Sequence, residues 1–167
     1  ILNKSKSEEI IELTRKICKK SNELANLGTK SQIISKTFTE SSSQSAIDIK
    51  PILKNVSADI DRRFKHSTIT VECADSLTAQ ADHRLQVLIE NLADNAIRHN
   101  TSSTPEVFLS ARAVEDDLVK LTVADNGPGI PKTEQQVITA EEEISSLTNA
   151  SGFGLWIVRR LTKEYNG

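Results

Sequence analysis

Between residues 8 and 38 the apolar positions keep a single period. Ile10, Leu13, Ile17, Lys20, Leu24, Leu27, Ser31, Ile34 and Phe38 step by three and four, and seven of the nine are apolar. That spacing predicts one long helix with a heptad seam, the pattern of a coiled coil or helical bundle. About 30 residues at ~1.5 Å rise make it ~45 Å long. A small globular domain does not cover such a seam, so partner helices are expected. Gly28 is its weak point, costing ~1 kcal/mol relative to Ala. The polar run Thr39 to Ser45, four of whose residues are serine, then reads as a linker.

Beyond the linker the periods are shorter. A helix is expected over about 48–64, capped by Asp48 and with Pro51 in its first turn. Residues 68–73 alternate as a strand, and a short strand precedes Asp82. Asp82 caps a strong helix over 83–99, where Leu85, Leu88, Ile89, Leu92 and Ala96 form an apolar stripe. Pro105 opens a strand to Ala113, and 118–124 is another, with Asp116-Asp117 as the turn between them. Residues 126–151 are polar, and Gly154 to Tyr165 reads as a last helix ended by Asn166-Gly167. No internal repeat is visible.

The bulk figures remove several classes. The chain has 167 residues, 37% hydrophobic and 26% charged, with a net charge of -2. Lys and Arg are dispersed, so neither a nucleic-acid footprint nor a basic membrane-binding helix is present. No run approaches the ~18 apolar residues of a membrane span, and no signal peptide is visible. Cys18 and Cys73 fall in different kinds of segment, which speaks against a disulfide framework or a zinc site and fits a reducing cytoplasm. The chain starts at Ile1 and contains no Met, so both ends are read as cut points.

Three constellations carry candidate chemistry. On the helix 83–99, Asn91, Asn95, Arg98 and His99 make a polar stripe beside the apolar one. Two carboxamides one turn apart can give oxygen to a hard cation such as Mg²⁺, and an Arg one turn on can meet phosphate. A partly solvated polar edge is the alternative. Next, Asp125-Asn126-Gly127-Pro128-Gly129-Ile130-Pro131 closes a strand. Its Asp can accept from an exocyclic amine such as that of adenine, and its glycines allow close approach; the alternative is an ordinary turn. Last, Gly152-Phe153-Gly154-Leu155 opens a helix whose amides can face phosphate, or is simply a helix start.

Taken together and in this order, they resemble a known family. Asn91-Leu92-Ala93-Asp94-Asn95-Ala96 resembles the asparagine box of histidine kinases. Asp125-x-Gly-x-Gly129 resembles their first glycine box, and Gly152-x-Gly154-Leu-x-Ile-Val158 their second. This is the GHKL ATPase superfamily, which also holds gyrase, MutL and heat-shock chaperone ATPase domains. The match covers 47–167. The seam helix, 1–39, resembles the second helix of the dimerisation and histidine-phosphotransfer hairpin, with 40–46 as the linker. The spacing and short lid look like those of archaeal kinases.

The resemblance implies a Bergerat-type α/β sandwich: a mixed sheet with helices on one face, preceded by the long hairpin helix. ATP is held between helices and a mobile lid, here 131–151. It implies Asn95 as the Mg²⁺ ligand, with Asn91 and Asn95 as the catalytic pair. Arg98 contacts phosphate, and His99, where many kinases have Tyr, lies near the nucleotide. Asp125 reads adenine, with Gly127, Gly129 and Ile130 shaping its pocket. Gly152, Gly154 and Leu155 approach the phosphates. The hydrolytic relatives place a general-base Glu where this chain has Asn91, and Asn cannot take a proton that way. Glu90 is a second candidate base but points about 100° away.

The implied reaction is phosphoryl transfer from ATP–Mg²⁺ to a histidine, then to an aspartate on a response-regulator receiver domain. The full-length protein, membrane-anchored or soluble, dimerises through a four-helix bundle, with this segment in the cytoplasm. The chain departs from the pattern in places. His66, His83 and His99 do not fit an acceptor context, so the acceptor is expected outside this chain. The lid lacks a phenylalanine-rich box, and Glu141-Glu142-Glu143 reads as a solvated face. The family's final strands are also expected to be missing, which leaves a sheet edge uncovered. Two other classes compete, a GHKL ATPase clamp and a degenerate nucleotide-binding interaction module.

Overall fold

The structure is a computed structural model that describes residues 12, 14, 16, 43–115, 117–132, 135 and 152–167. It divides into two compact units, Ile1–Ser41 and Ser42–Gly167. In the first unit Glu12, Thr14 and Lys16 are helical, and Lys16 Nζ lies 2.8 Å from Glu12 Oε1 one turn back. The rest of the expected seam helix lies outside the described residues, as does the lid 131–151 apart from Pro131, Lys132 and Gln135.

The second unit follows the order β1 (Ser45–Asp48), α1 (Ile49–Arg63), β2 (Thr68–Cys73), β3 (Thr78–Ala81), α2 (Arg84–Arg98), β4 (Glu106–Ala113), β5 (Val119–Asp125) and α3 (Gly152–Glu164). β1 and β3 make a small antiparallel ribbon. The main sheet runs β2-β4-β5 and is mixed: β2 and β4 are parallel, while β4 and β5 are antiparallel. A parallel pair needs a long crossover, and β3 with α2 supplies it.

Alternation builds the sheet. Thr68, Thr70 and Glu72 are exposed while Ile69, Val71 and Cys73 are half-buried. On β4, Val107, Leu109 and Ala111 share one face and are buried. α1 covers them with Ile49, Leu53, Val56 and Ile60, and α2 with Leu85, Leu88, Ile89, Ala93 and Ile97. α3 packs on α2 through Ile157 and Leu161. The result is a two-layer α/β sandwich with its core between sheet and helices.

The ends follow local chemistry. Asp48 accepts from the Lys50 N–H at 3.1 Å, as a capping residue does. Asp82 accepts from the Arg84 N–H at 2.8 Å, one position outside the cap position, which His83 occupies. α3 closes with Asn166 at φ 59, Gly167 N–H bonded to Thr162 O and Asn166 N–H to Lys163 O. That is a Schellman motif with Asn, not Gly, in the left-handed place. The turn before β5 puts Asp117 at φ 57, while Asp116 lies outside the described residues.

One element departs from expectation. β1 begins at Ser45, within the stretch read as linker. Four residues of which only Ile47 is even half-buried carry almost no periodic signal, and pairing with β3 makes the strand.

Candidate functional site

α2 presents its apolar stripe to the sheet and its asparagines to α3. Asn91 donates through Nδ2 to the Val87 carbonyl one turn back, at 2.7 Å. That bond turns Oδ1 towards α3, where a Cβ on Gly154 would lie only 2.8 Å from it. The same Cβ would lie 3.7 Å from Asn95 Nδ2. A side chain at 154 would displace the Asn91 carboxamide, so the bare backbone of Gly154 lets the first and third constellations meet.

Asn95 Nδ2 is buried and has no hydrogen-bond partner among the described residues. Such an atom costs free energy unless something satisfies it.

Arg98 and His99 are exposed at the end of α2. Arg98 is engaged within the protein: Nε donates to Asp94 Oδ2, and Asp94 Oδ1 accepts from Arg63 Nη1 at 2.8 Å. Both guanidinium groups lie against the Phe64 ring, with 5.6 Å from Arg63 Cζ and 5.5 Å from Arg98 Cζ to its centroid. Glu90 accepts from Gln86 Nε2 at 2.8 Å, so it is tied along the surface of its own helix.

The second constellation stands at the end of β5. Asp125 Oδ1 accepts from the Gly127 N–H at 2.8 Å. Gly129 has φ +72 with open space where a Cβ would stand, so its glycine answers to conformation, not crowding. Ile130 is 49% exposed beside it. Gly152 begins α3, and Leu155 is half-buried.

Two residues join this loop to α2, and neither stood out in the sequence. Asn126 Oδ1 accepts from Asn100 Nδ2 at 2.8 Å and from the Glu106 N–H at 2.9 Å. Asn126 Nδ2 donates to the Thr104 carbonyl at 3.2 Å. Asn-Gly reads as a turn signal, which hides this role; Asn100, just past α2, was the available clue.

The two helices are braced at their other ends. Arg84 is buried and binds both Asp82 oxygens and, through Nη1 at 2.8 Å, Glu164 Oε2. Tyr165 Oη donates to Asp82 Oδ1 at 2.8 Å. The bond to Asp82 holds the Arg84 guanidinium protonated beyond its ordinary range. Burial first, and then the bond to Asp82, push the Tyr165 phenol up.

A mixed sheet under helices, with an asparagine-bearing helix facing a glycine-opened one, is a Bergerat-type α/β sandwich. The chain matches the histidine kinase-, DNA gyrase B- and HSP90-like ATPase family over residues 80–167, more than half its length. It belongs to that family. It is 26% identical over 124 residues to the sensor protein PhoQ of Escherichia coli O157:H7, covering 71% of this chain and 24% of that protein. The chain thus spans about a quarter of the length of that relative.

Solved structures share the fold. The mycobacterial sensor histidine kinase MprB superposes with a TM-score of 0.62 at 21% identity, over 74% of this chain and 80% of that one. Full-length ShkA, in complex with AMPPNP, gives 0.65 at 24% identity over 86% of this chain and 32% of that one. No helix among the described residues is long and apolar enough to cross a membrane.

Proposed function

We propose that this chain binds ATP with Mg²⁺ and positions the γ-phosphoryl group for transfer to a histidine outside the chain. The observation that carries this reading is the buried Nδ2 of Asn95, which has no partner among the described residues, beside the bare backbone of Gly154. A buried polar atom of this kind calls for a partner, and a polar ligand would supply one.

The residues present fit a magnesium nucleotide. Asn91 and Asn95 offer carboxamide oxygens, hard donors suited to Mg²⁺. Among the described residues no three His, Cys, Asp or Glu gather as a metal cage. That suits an ion that keeps waters and shares its shell with phosphate. When bound, Mg²⁺ neutralises charge on the phosphate oxygens. Asp125 accepts from the adenine amine, with Gly127, Gly129 and Ile130 around the base. Gly152, Gly154 and Leu155 line the phosphate side, with His99 near the nucleotide. Arg98 exchanges Asp94 for phosphate. Catalysis is mainly positioning and charge neutralisation. Asn91 cannot serve as a water-activating base and Glu90 is held by Gln86, which favours transfer over hydrolysis.

In this reading residues 1–39 are the second helix of a dimerising hairpin, 40–46 its linker and 47–167 the catalytic domain. The whole protein is a homodimer that hands phosphate to a receiver domain, with this segment in the cytoplasm. Calorimetry with a non-hydrolysable ATP analogue tests the core claim. Micromolar, Mg²⁺-dependent binding that fails in Asn95→Ala and Asp125→Ala is expected; no binding by the unaltered chain would overturn it. Fast steady hydrolysis instead of acid-labile phosphohistidine in the full-length protein would favour an ATPase.

A further inference from the structure

We infer that Asn100 and Asn126 form a clasp that positions Asp125 and so sets the base specificity of the nucleotide site. The inference rests on the reading of that site given above, and goes beyond it by assigning two residues that touch no ligand.

Asn126 engages both ends of its carboxamide: Oδ1 receives the Asn100 amide and the Glu106 N–H, and Nδ2 reaches the Thr104 carbonyl. Its own N–H donates to the Glu106 carbonyl, extending the β4–β5 ladder by one step. Asn100 is fixed in turn, because its Oδ1 accepts from the Ser102 N–H at 2.9 Å. Asp125, next in the chain, has Oδ1 committed to the Gly127 N–H. Gly127 is the contact point of the whole set: a Cβ there would lie 2.6 Å from Asp125 Oδ1 and 3.3 Å from Asn100 Cγ.

The consequence is that the Asp125 carboxylate is held by the Gly127 N–H, and the backbone that carries both is anchored through Asn126. The end of α2, which carries Asn91 and Asn95, is tied to the loop that carries Asp125. A carboxylate selects an amine over a carbonyl only if it is held at hydrogen-bond distance and angle. Loosening its support costs selectivity before it costs phosphate binding, since a site's discrimination lives in its preorganised polar groups.

The test uses isosteric changes on the full chain. Asn126→Asp keeps both acceptor bonds and loses the donor to Thr104. Asn100→Asp keeps the bond from Ser102 and loses the donor to Asn126. Asn100→Ala removes that donor without adding charge. Circular dichroism and thermal melting verify folding. Calorimetry then compares non-hydrolysable ATP with its inosine counterpart, whose base has a carbonyl in place of the amine, and the triphosphate with ADP. The preference for adenine over hypoxanthine is expected to fall about tenfold, the worth of one well-placed hydrogen bond. The triphosphate-to-diphosphate ratio is expected to hold.

An unchanged base preference in folded variants overturns the clasp and leaves the nucleotide site standing. Equal loss of both ratios also overturns it, because that is general damage. If the unaltered chain binds neither nucleotide, the site and the clasp fall together.

Discussion

Tyr165 Oη lies 2.8 Å from Asp82 Oδ1, so residues 83 positions apart in the chain share a hydrogen bond. It ties the end of α3 to the start of α2. The bond has a consequence for alkaline stability. The phenol's pKa lies above its ordinary value of 10.0 in the folded protein, by burial and by this bond. The folded state therefore keeps a proton that the unfolded state releases. Its stabilising contribution is complete below the unfolded value and declines as pH rises past it. Tyr165→Phe should cost about 1.5 kcal/mol at neutral pH. It should also be less sensitive to pH above ~10 than the parent. Urea titrations at neutral and alkaline pH measure both; parallel pH profiles would refute the assignment.

Arg84 stands between two carboxylates while only 7% exposed. Arg84→Met leaves Asp82 buried without its cation, and should cost about 3–5 kcal/mol. Adding Asp82→Asn should recover part of that loss, since the stranded charge is then gone. A double-mutant cycle by chemical denaturation decides the matter; strict additivity would show that the pair is not coupled.

Gly154→Ala sets two effects against each other. Alanine favours a helix by up to ~1 kcal/mol over glycine. The new Cβ would also fall 2.8 Å from Asn91 Oδ1, which must swing away from its Val87 anchor. Stability should change little while ATP-analogue affinity drops at least about tenfold, roughly 1.4 kcal/mol. Calorimetry alongside a melting curve separates the two, and full affinity would show that Asn91 has room to move.

Asn95→Ala should part function from stability. It removes a buried donor that has no partner among the described residues and adds helix propensity. Stability without nucleotide should hold or rise by about 1 kcal/mol. Mg²⁺-dependent analogue binding should vanish. A markedly lower melting temperature would mean that the carboxamide is structurally satisfied.

How far these features could be read from the sequence depended on distance along the chain. The stripe Leu85, Leu88, Ile89 with its flanking asparagines is local, and α2 forms where it predicts. Alternation in 68–73 likewise finds β2, and the strand expected from Pro105 to Ala113 is β4. The Asp48 and Asn166-Gly167 caps are short-range chemistry and appear as expected. β1 was hidden because a four-residue strand in a serine-rich stretch has one half-buried side chain.

The same logic holds at the candidate site. The motifs named Asn91, Asn95, Asp125 and the glycines, but not what holds them. Asn126 meets Thr104 and Asn100 more than 20 positions back, and no local pattern encodes that. Asp82 was legible as a helix cap, but its ion pair with Arg84 and its bond from Tyr165 were not, because Tyr165 and Glu164 lie about 80 positions downstream. Arg98 was the reverse case. Its partner Asp94 stood at i−4, a spacing that favours an ion pair, and the phosphate reading passed over it.

The way α3 is attached has a mechanical side. Its C-terminal end is riveted by the Arg84–Glu164 pair and by the neighbouring Tyr165 bond. Its opposite end meets α2 near Gly154, through a carbon with no side chain to interlock. A rod pinned at one end and resting on a smooth bearing at the other amplifies small displacements along its length. Amide-exchange protection should thus fall from Leu161 towards Gly154, and a molecule wedged at the bearing would move the glycine end while the riveted end stays put.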